Sequence, residues 1–203
     1  SEMCIRDRGD LRDLGMQNTN YWQFDGYDPR AMYDAARKAG RIELAGCYVT
    51  SASIKDPDTT HHAPPGHQSV EVMSLVSGDP ALWGGTEADA LSWSYKRSEA
   101  YEATKARIEE GLIARLESMF PGVTARIAVK DSATPMTHTR YTRASGGTAY
   151  GIAATTDQFM ERRPGYRTPI PGLYLCGAST RAGHGVVGAM LSGKNAARAV
   201  GAP

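Results

Sequence analysis

Cysteine is scarce in this sequence: Cys4, Cys47 and Cys176 are the three thiols among 203 residues. Three scattered cysteines build neither a disulfide framework nor a structural zinc site, and they fit a reducing, cytoplasmic compartment. Excess charge is missing as well. Lys and Arg number 23 against 22 Asp and Glu, a formal net charge of +1, and no basic tract stands out. That balance excludes a broad electrostatic attraction to nucleic acid or anionic lipid. No apolar run approaches the ~18 residues of a membrane-spanning helix. The opening SEMCIRDRGD alternates charges with single apolar residues, which is not the pattern of a secretory leader. No Met stands at position 1, and SEMCIRDR looks like a string found at the ends of translated metagenomic reads, where adapter sequence is read through. Residues 1–8 are therefore expected to stand outside the fold, within a leader of residues 1–20. There is no Ser-His-Asp order, no nucleophile elbow and no carboxylate pair suited to acid–base catalysis.

What is present is an ordinary globular composition, 41% hydrophobic and 22% charged. Residues 18–28 mix aromatics with turn formers and read as strand and turn. Asp28 and Pro29 form a helix start, N-cap then first-turn proline, for a helix that Gly40 stops. Residues 41–53 and 69–77 read as strands, separated by a proline-punctuated loop over 55–68. Residues 78–97, with Gly78, Pro80, Gly84 and Gly85, read as a surface connection carrying Trp83 and Trp93. The strongest helix signal covers 98–120. There Tyr101, Ile108, Leu112, Leu116 and Met119 recur at helical spacing, Ser98 caps the start and Pro121-Gly122 ends it. Residues 124–132 follow as a strand, 133–172 carry little periodicity, and the strand LYLC (173–176) precedes a final helix from about Val186 to Val200.

That final stretch contains Gly183-x-Gly185-x-x-Gly188, which spells the dinucleotide fingerprint G-x-G-x-x-G. A Rossmann fingerprint needs its strand to run almost directly into the first glycine, and an acidic residue about 20 positions onward to bind a ribose. Here Gly177 to Ala182 intervene, and no acid follows Gly188. The Rossmann reading fails on context. Two readings remain: a flexible glycine loop before a helix, or a helix N-terminus whose unsatisfied amides meet a flat, electron-rich ligand edge that glycines allow to approach.

The residues TPIPGLYLCGASTRAGHGVVGAMLSGKNAARAV resemble the C-terminal flavin-binding segment of the phytoene desaturase, carotenoid isomerase and retinol saturase group, FAD-dependent oxidoreductases of the amine-oxidase fold. Upstream, ATPMTHTRYTRASGGTAYG (133–151) resembles a block of the carotenoid isomerases, and RLESMFPG (115–122) resembles the helix end before it. The resemblance covers about residues 21–203. It implies an α/β protein in which 21–134 form part of an α+β substrate domain. Residues 135–203 would return to a Rossmann-like FAD-binding domain and add the strand 173–176 to its sheet. The chain is then expected to be the closing half of a two-domain flavoprotein, partnered by the pyrophosphate-binding N-terminal half of the same polypeptide. The cofactor implied is FAD, and the substrate an apolar polyene such as a carotenoid or retinoid. Peripheral membrane contact by the full-length protein is compatible with such a substrate, and no nucleic-acid partner is implied. Two other classes stay open: an amine-oxidase-type flavoenzyme, and a non-catalytic member binding prenylated partners without flavin, as the Rab-GDP dissociation inhibitors do.

By the same resemblance, Gly177, Ala178 and Ser179 would lie along the ribityl chain and pyrophosphate. Many relatives carry an acidic residue at one of the two positions after Gly177, where this chain has Ala178 and Ser179. Val186 and Val187 would present amides to the flavin, with Gly185 and Gly188 keeping β-carbons away. His184 reads as a solvent-facing loop residue or as a proton donor. His138, Arg140 and Tyr141 face a substrate channel or tie their loop together, and Tyr150 is a candidate for stacking near the flavin. His61, His62 and His67 lack acidic or thiol ligands at suitable spacing, so no metal is expected. Cys176 is expected in the core.

Overall fold

The computed structural model describes residues 2–28, 30, 34 and 40–201. Contacts divide the chain into two units, residues 1–147 and 148–203. The helix read from Pro29 to Gly40 falls mostly outside the described residues.

The first unit is built on five strands: β1 (Glu2–Arg8), β2 (Tyr21–Phe24), β3 (Gly46–Thr50), β4 (His67–Met73) and β5 (Ile127–Ala133). They form one antiparallel sheet in the order β2-β3-β4-β1-β5. Residues 2–8 thus do not stand outside the fold. Met3, Ile5 and Asp7 are buried while Cys4, Arg6 and Arg8 are exposed, the period-two alternation of a strand with one covered face. The register brings Met3 opposite Val72, Val72 opposite Val49 and Val49 opposite Tyr21, so one apolar row crosses the sheet. Asp7 sits on that covered face with neither carboxylate oxygen hydrogen-bonded. Burial pushes its pKa up, against weaker pulls from the Arg8 backbone nearby and from the charges of Arg126 and His67.

Four α-helices have described bounds in this unit: α1 (Ala52–Lys55), α2 (Glu87–Ser92), α3 (Glu99–Met119) and α4 (Pro135–Thr142). Helix α3 carries the expected stripe: Tyr101, Ile108, Leu112 and Leu116 are buried against Met3, Ile5, Val49, Val70 and Val72. Each fully buried aliphatic side chain contributes about 1.5–3 kcal/mol. The Ser98 hydroxyl accepts from the Tyr101 amide, as an N-cap should. At the other end Glu117 reaches forward, accepting from the amides of Gly122 and Thr124 and from the Thr124 hydroxyl, and so fixes the turn after the helix. Those three bonds lower the Glu117 pKa.

Two helices arise where no periodicity announces them. α2 starts in a capping box, Thr86 with Asp89, and α4 in another, Thr134 with Thr137, with Pro135 in the first turn. Trp83, read as part of a surface connection, is fully buried and donates its indole N–H to the Ser77 carbonyl at 2.9 Å.

Among its described residues the second unit has one α-helix, α5 (Gly185–Val200). Residues 173–176 do not form the expected strand. Tyr174 makes a single bridge to Arg167, and the Leu175 amide donates to the Tyr166 carbonyl at 2.9 Å. Only one short segment runs alongside, too little for a ladder. Cys176, expected in the core, is exposed with Leu173 and Leu175. The architecture is mixed α/β with one antiparallel sheet.

Candidate cofactor-binding site

The residues singled out from the resemblance to flavoproteins converge on the turn that feeds α5. Gly177 has φ +102°, a left-handed conformation that reverses the chain at the end of the extended segment. Its carbonyl accepts from the Thr180 amide at 3.1 Å and from the Thr180 hydroxyl at 2.9 Å. Ser192, fully buried two turns into α5, accepts from the Gly177 amide and bonds the Thr180 hydroxyl, both at 2.7 Å. The loop is therefore pinned to the flank of its own helix.

The glycine pattern has a local explanation that does not involve a Rossmann turn. Gly183 and Gly185 adopt φ of +82° and +80°, which favours glycine. Gly188 is required by proximity instead: a β-carbon there would lie 2.7 Å from the Gly183 carbonyl oxygen. The pattern records two backbone reversals and one close packing contact.

This geometry leaves the start of α5 accessible. His184 is the N-cap residue but its side chain makes no capping hydrogen bond, and no acidic residue stands in the first turn. Val186 and Val187 are exposed at 78% and 70%. First-turn amides have no partner within a helix, and here no side chain caps them, so they suit a hydrogen-bond acceptor from outside. The His184 ring lies 4.8 Å from that of Tyr150, so two candidates weighed separately in the sequence stand together beside this helix end.

Ala178 and Ser179 are held from behind. A β-carbon on Gly151, whose φ is +77°, would lie 2.6 Å from Ser179 Oγ, and the Ile152 amide donates to that hydroxyl at 3.3 Å. The Ala178 carbonyl accepts from Arg163 Nη2 at 2.9 Å. Arg163 escapes a reading by sequence, because its meaning depends on carbonyls remote in the chain. A charged residue beside Pro164 was the only signal.

The other candidates lie elsewhere. His138 Nδ1 is 3.3 Å from the Gly147 carbonyl oxygen, and Arg140 donates to the Leu91 carbonyl at 2.6 Å, so both tie α4 to its surroundings in the first unit. Tyr141 is exposed and packs edge-on to Trp93. His61, His62 and His67 lie on the loop before β4 and at its first residue. Among the described residues no group of three or more His, Cys, Asp or Glu side chains could hold a metal ion. Among them too, no helix is long and apolar enough to cross a membrane.

Apolar rings gather at the sheet edge of the first unit. Trp22 and Phe24 are exposed at 63% and 54%. Trp22 stacks on Phe24 at 5.9 Å and meets Tyr48 at 4.7 Å.

A family model described as flavin containing amine oxidoreductase matches residues 48–201. Among curated proteins, the chain is 28% identical over 166 residues to prolycopene isomerase 2, chloroplastic, of an Oncidium hybrid cultivar, covering 80% of this chain and 26% of that protein. It is 33% identical over 118 residues to prolycopene isomerase, chloroplastic, of Daucus carota, covering 58% and 19%. To all-trans-retinol 13,14-reductase of Danio rerio it is 26% identical over 176 residues, covering 83% and 28%. The chain thus spans about a quarter of the length of these relatives.

Proposed function

The chain belongs to the flavin-containing amine oxidoreductase family, and on that premise we propose that it forms the C-terminal part of a FAD-dependent oxidoreductase acting on a polyene such as a carotenoid or retinoid. The observation that carries this reading is the glycine turn feeding the uncapped start of α5. Three features support its fit to a flavin. The first-turn amides lack a side-chain cap. Added β-carbons at Gly177, Gly183 and Gly185 would meet nothing within 4 Å, which leaves room for a flat ring. No carboxylate stands in the first turn to repel an electron-rich edge.

A bound flavin supplies hydride transfer to or from a carbon–carbon bond, or in its reduced form promotes cis–trans change. The protein's part is to bind and orient. Amides of Val186 and Val187 would donate to the ring's acceptor edge, and the positive end of α5 would favour negative charge there. Gly185 and Gly188 keep β-carbons out of the approach. Ala178 and Ser179 would run along the ribityl chain. The Ser179 hydroxyl accepts from Ile152 and would keep its proton for a ribityl oxygen.

Two of the relatives are named as prolycopene isomerases and one as an all-trans-retinol 13,14-reductase, which supports an extended apolar substrate. The exposed rings of Trp22 and Phe24, with the half-buried Tyr48 beside Trp22, offer such a molecule an apolar surface. Residues 148–203 then belong to the flavin-binding part of the full protein, and the sheet of the first unit to its substrate domain.

The test is to purify the full-length protein containing these residues, record its visible spectrum and incubate it anaerobically with reduced FAD and cis or all-trans polyenes. Flavin absorbance together with a changed double bond in the recovered polyene is expected. A colourless protein that takes up no flavin contradicts the reading, and flavin-dependent amine oxidation without polyene turnover points to the amine-oxidase alternative.

A further inference from the structure

Arg163 is the only buried cation among the described residues, 4% exposed, and among those residues it forms no ion pair. Its Nη2 donates to two carbonyl oxygens from separate segments, Ala178 at 2.9 Å and Ile152 at 3.2 Å. Its Nε is buried without a partner. A buried guanidinium stripped of water and given no carboxylate is costly to fold, so its position calls for a reason beyond packing.

The contacts around it supply that reason. The Arg163 carbonyl accepts from Arg181 Nε at 3.4 Å, and the Arg181 amide donates to the Pro164 carbonyl at 3.1 Å. The Ile152 amide meets Ser179 Oγ, and Gly151 lies close against the same side chain. Three stretches of chain (151–152, 163–164 and 178–181) are thus laced together, with one guanidinium bridging the outer two. Few apolar contacts are available to do this work, because among the described residues those buried in this unit are Arg163, Thr180, Gly188 and Ser192.

We infer that Arg163 is a positioning residue for the cofactor loop. It holds the Ala178 and Ser179 main chain, through the carbonyls of Ala178 and Ile152, in the conformation that accepts the flavin's ribityl–diphosphate chain. Its uncompensated charge adds a positive potential behind that loop. This inference rests on the flavin reading above. It assigns Arg163 a role in binding and leaves the redox chemistry to the flavin. Glutamine at this position lacks the charge that strengthens bonds to the two part-buried carbonyls, whereas lysine retains that charge on a donor nitrogen.

The experiment uses the full-length protein in three forms: wild type, R163K and R163Q. Each is stripped of flavin and titrated with FAD by quenching of flavin fluorescence. R163Q is expected to bind FAD roughly ten- to a hundredfold more weakly, as for loss of a charged hydrogen bond. R163K is expected to recover much of that loss. Hydrogen exchange on the wild type supplies a readout independent of any variant's folding: FAD should slow exchange at the amides of Ile152 and Arg181. If wild type binds FAD but both variants match it, or those amides exchange alike with and without FAD, Arg163 does not position the loop. If wild type binds no flavin, the proposed function itself fails.

Discussion

In the first unit Leu112, Leu116, Val49, Val70 and Val72 are fully buried around one side of a sheet, whereas in the second no apolar side chain among the described residues is buried at all. The second unit encloses an arginine, a threonine, a glycine and a serine. It leaves Leu173, Leu175, Val186, Val187, Met190 and Leu191 exposed. One unit is held by apolar burial, which is non-directional and tolerant; the other by hydrogen bonds and close glycine packing, which fix geometry tightly but contribute less net stability. Several large apolar side chains exposed in one small unit suit a surface that is covered in the full protein. In the proposed reading, the cover comes from the remainder of a longer flavoprotein and from the flavin.

The contrast makes substitutions in the two units behave differently. Leu112→Ala removes a side chain from the middle of the α3 stripe and is expected to cost about 2–5 kcal/mol, read as a lowered midpoint in denaturant unfolding. Flavin binding by the full-length protein should change little at temperatures where the variant remains folded. Gly188→Ala inverts that pattern. Its β-carbon would fall 2.7 Å from the Gly183 carbonyl oxygen and 3.0 Å from that of Ala182, so the loop must shift. A local cost of about 1–3 kcal/mol is expected, with loss of FAD binding in the titration and little effect on unfolding of the first unit. If both substitutions lower stability and flavin affinity in equal proportion, the division of labour is wrong.

A third substitution sharpens the picture of the apolar core by testing a carboxylate buried within it. Burial raises the Asp7 pKa above its ordinary value of 3.8. The folded state therefore binds this proton more tightly than the unfolded state. Its stabilising contribution is complete below the unfolded pKa and is lost as pH rises through the folded one. Asp7→Asn should raise stability at pH 7 by about 1–3 kcal/mol, and the advantage should vanish below about pH 4. Unfolding midpoints at the two pH values check both the sign and the window. The smallest effect is expected at Ser98→Ala, about 0.5–2 kcal/mol from the lost cap of α3, measured the same way.

Legibility in the sequence followed the same division. α3 was readable because burial, periodicity, cap and stop signal agree from Ser98 to Gly122. The antiparallel partners β3, β4 and β5 were readable to within a few residues through alternation. α2 and α4 were hidden because short helices set by capping boxes carry too few turns for a periodic stripe, although Thr86 with Asp89, and Thr134-Pro135 with Thr137, were there as signals. β1 was obscured by the unusual opening string, whose alternation of Met3, Ile5 and Asp7 is that of a strand all the same. In the second unit the glycines pointed to the turn, but their separate causes, two positive φ values and one contact, needed coordinates. Residues 173–176 were apolar enough for a strand, yet a strand is defined by neighbours, and only a single bridge forms. Arg163 was illegible for the same reason: nothing local ties it to Ala178 or Ile152.

The central claim is that the start of α5 meets a flavin ring. A crystal structure of the full-length, FAD-loaded protein tests it most directly. The account predicts the amides of Val186 and Val187 within hydrogen-bonding distance of acceptor atoms on the isoalloxazine edge, with the ribityl chain passing Ala178 and Ser179. Flavin density seated away from residues 177–188, with those amides facing solvent or another part of the chain, would contradict it.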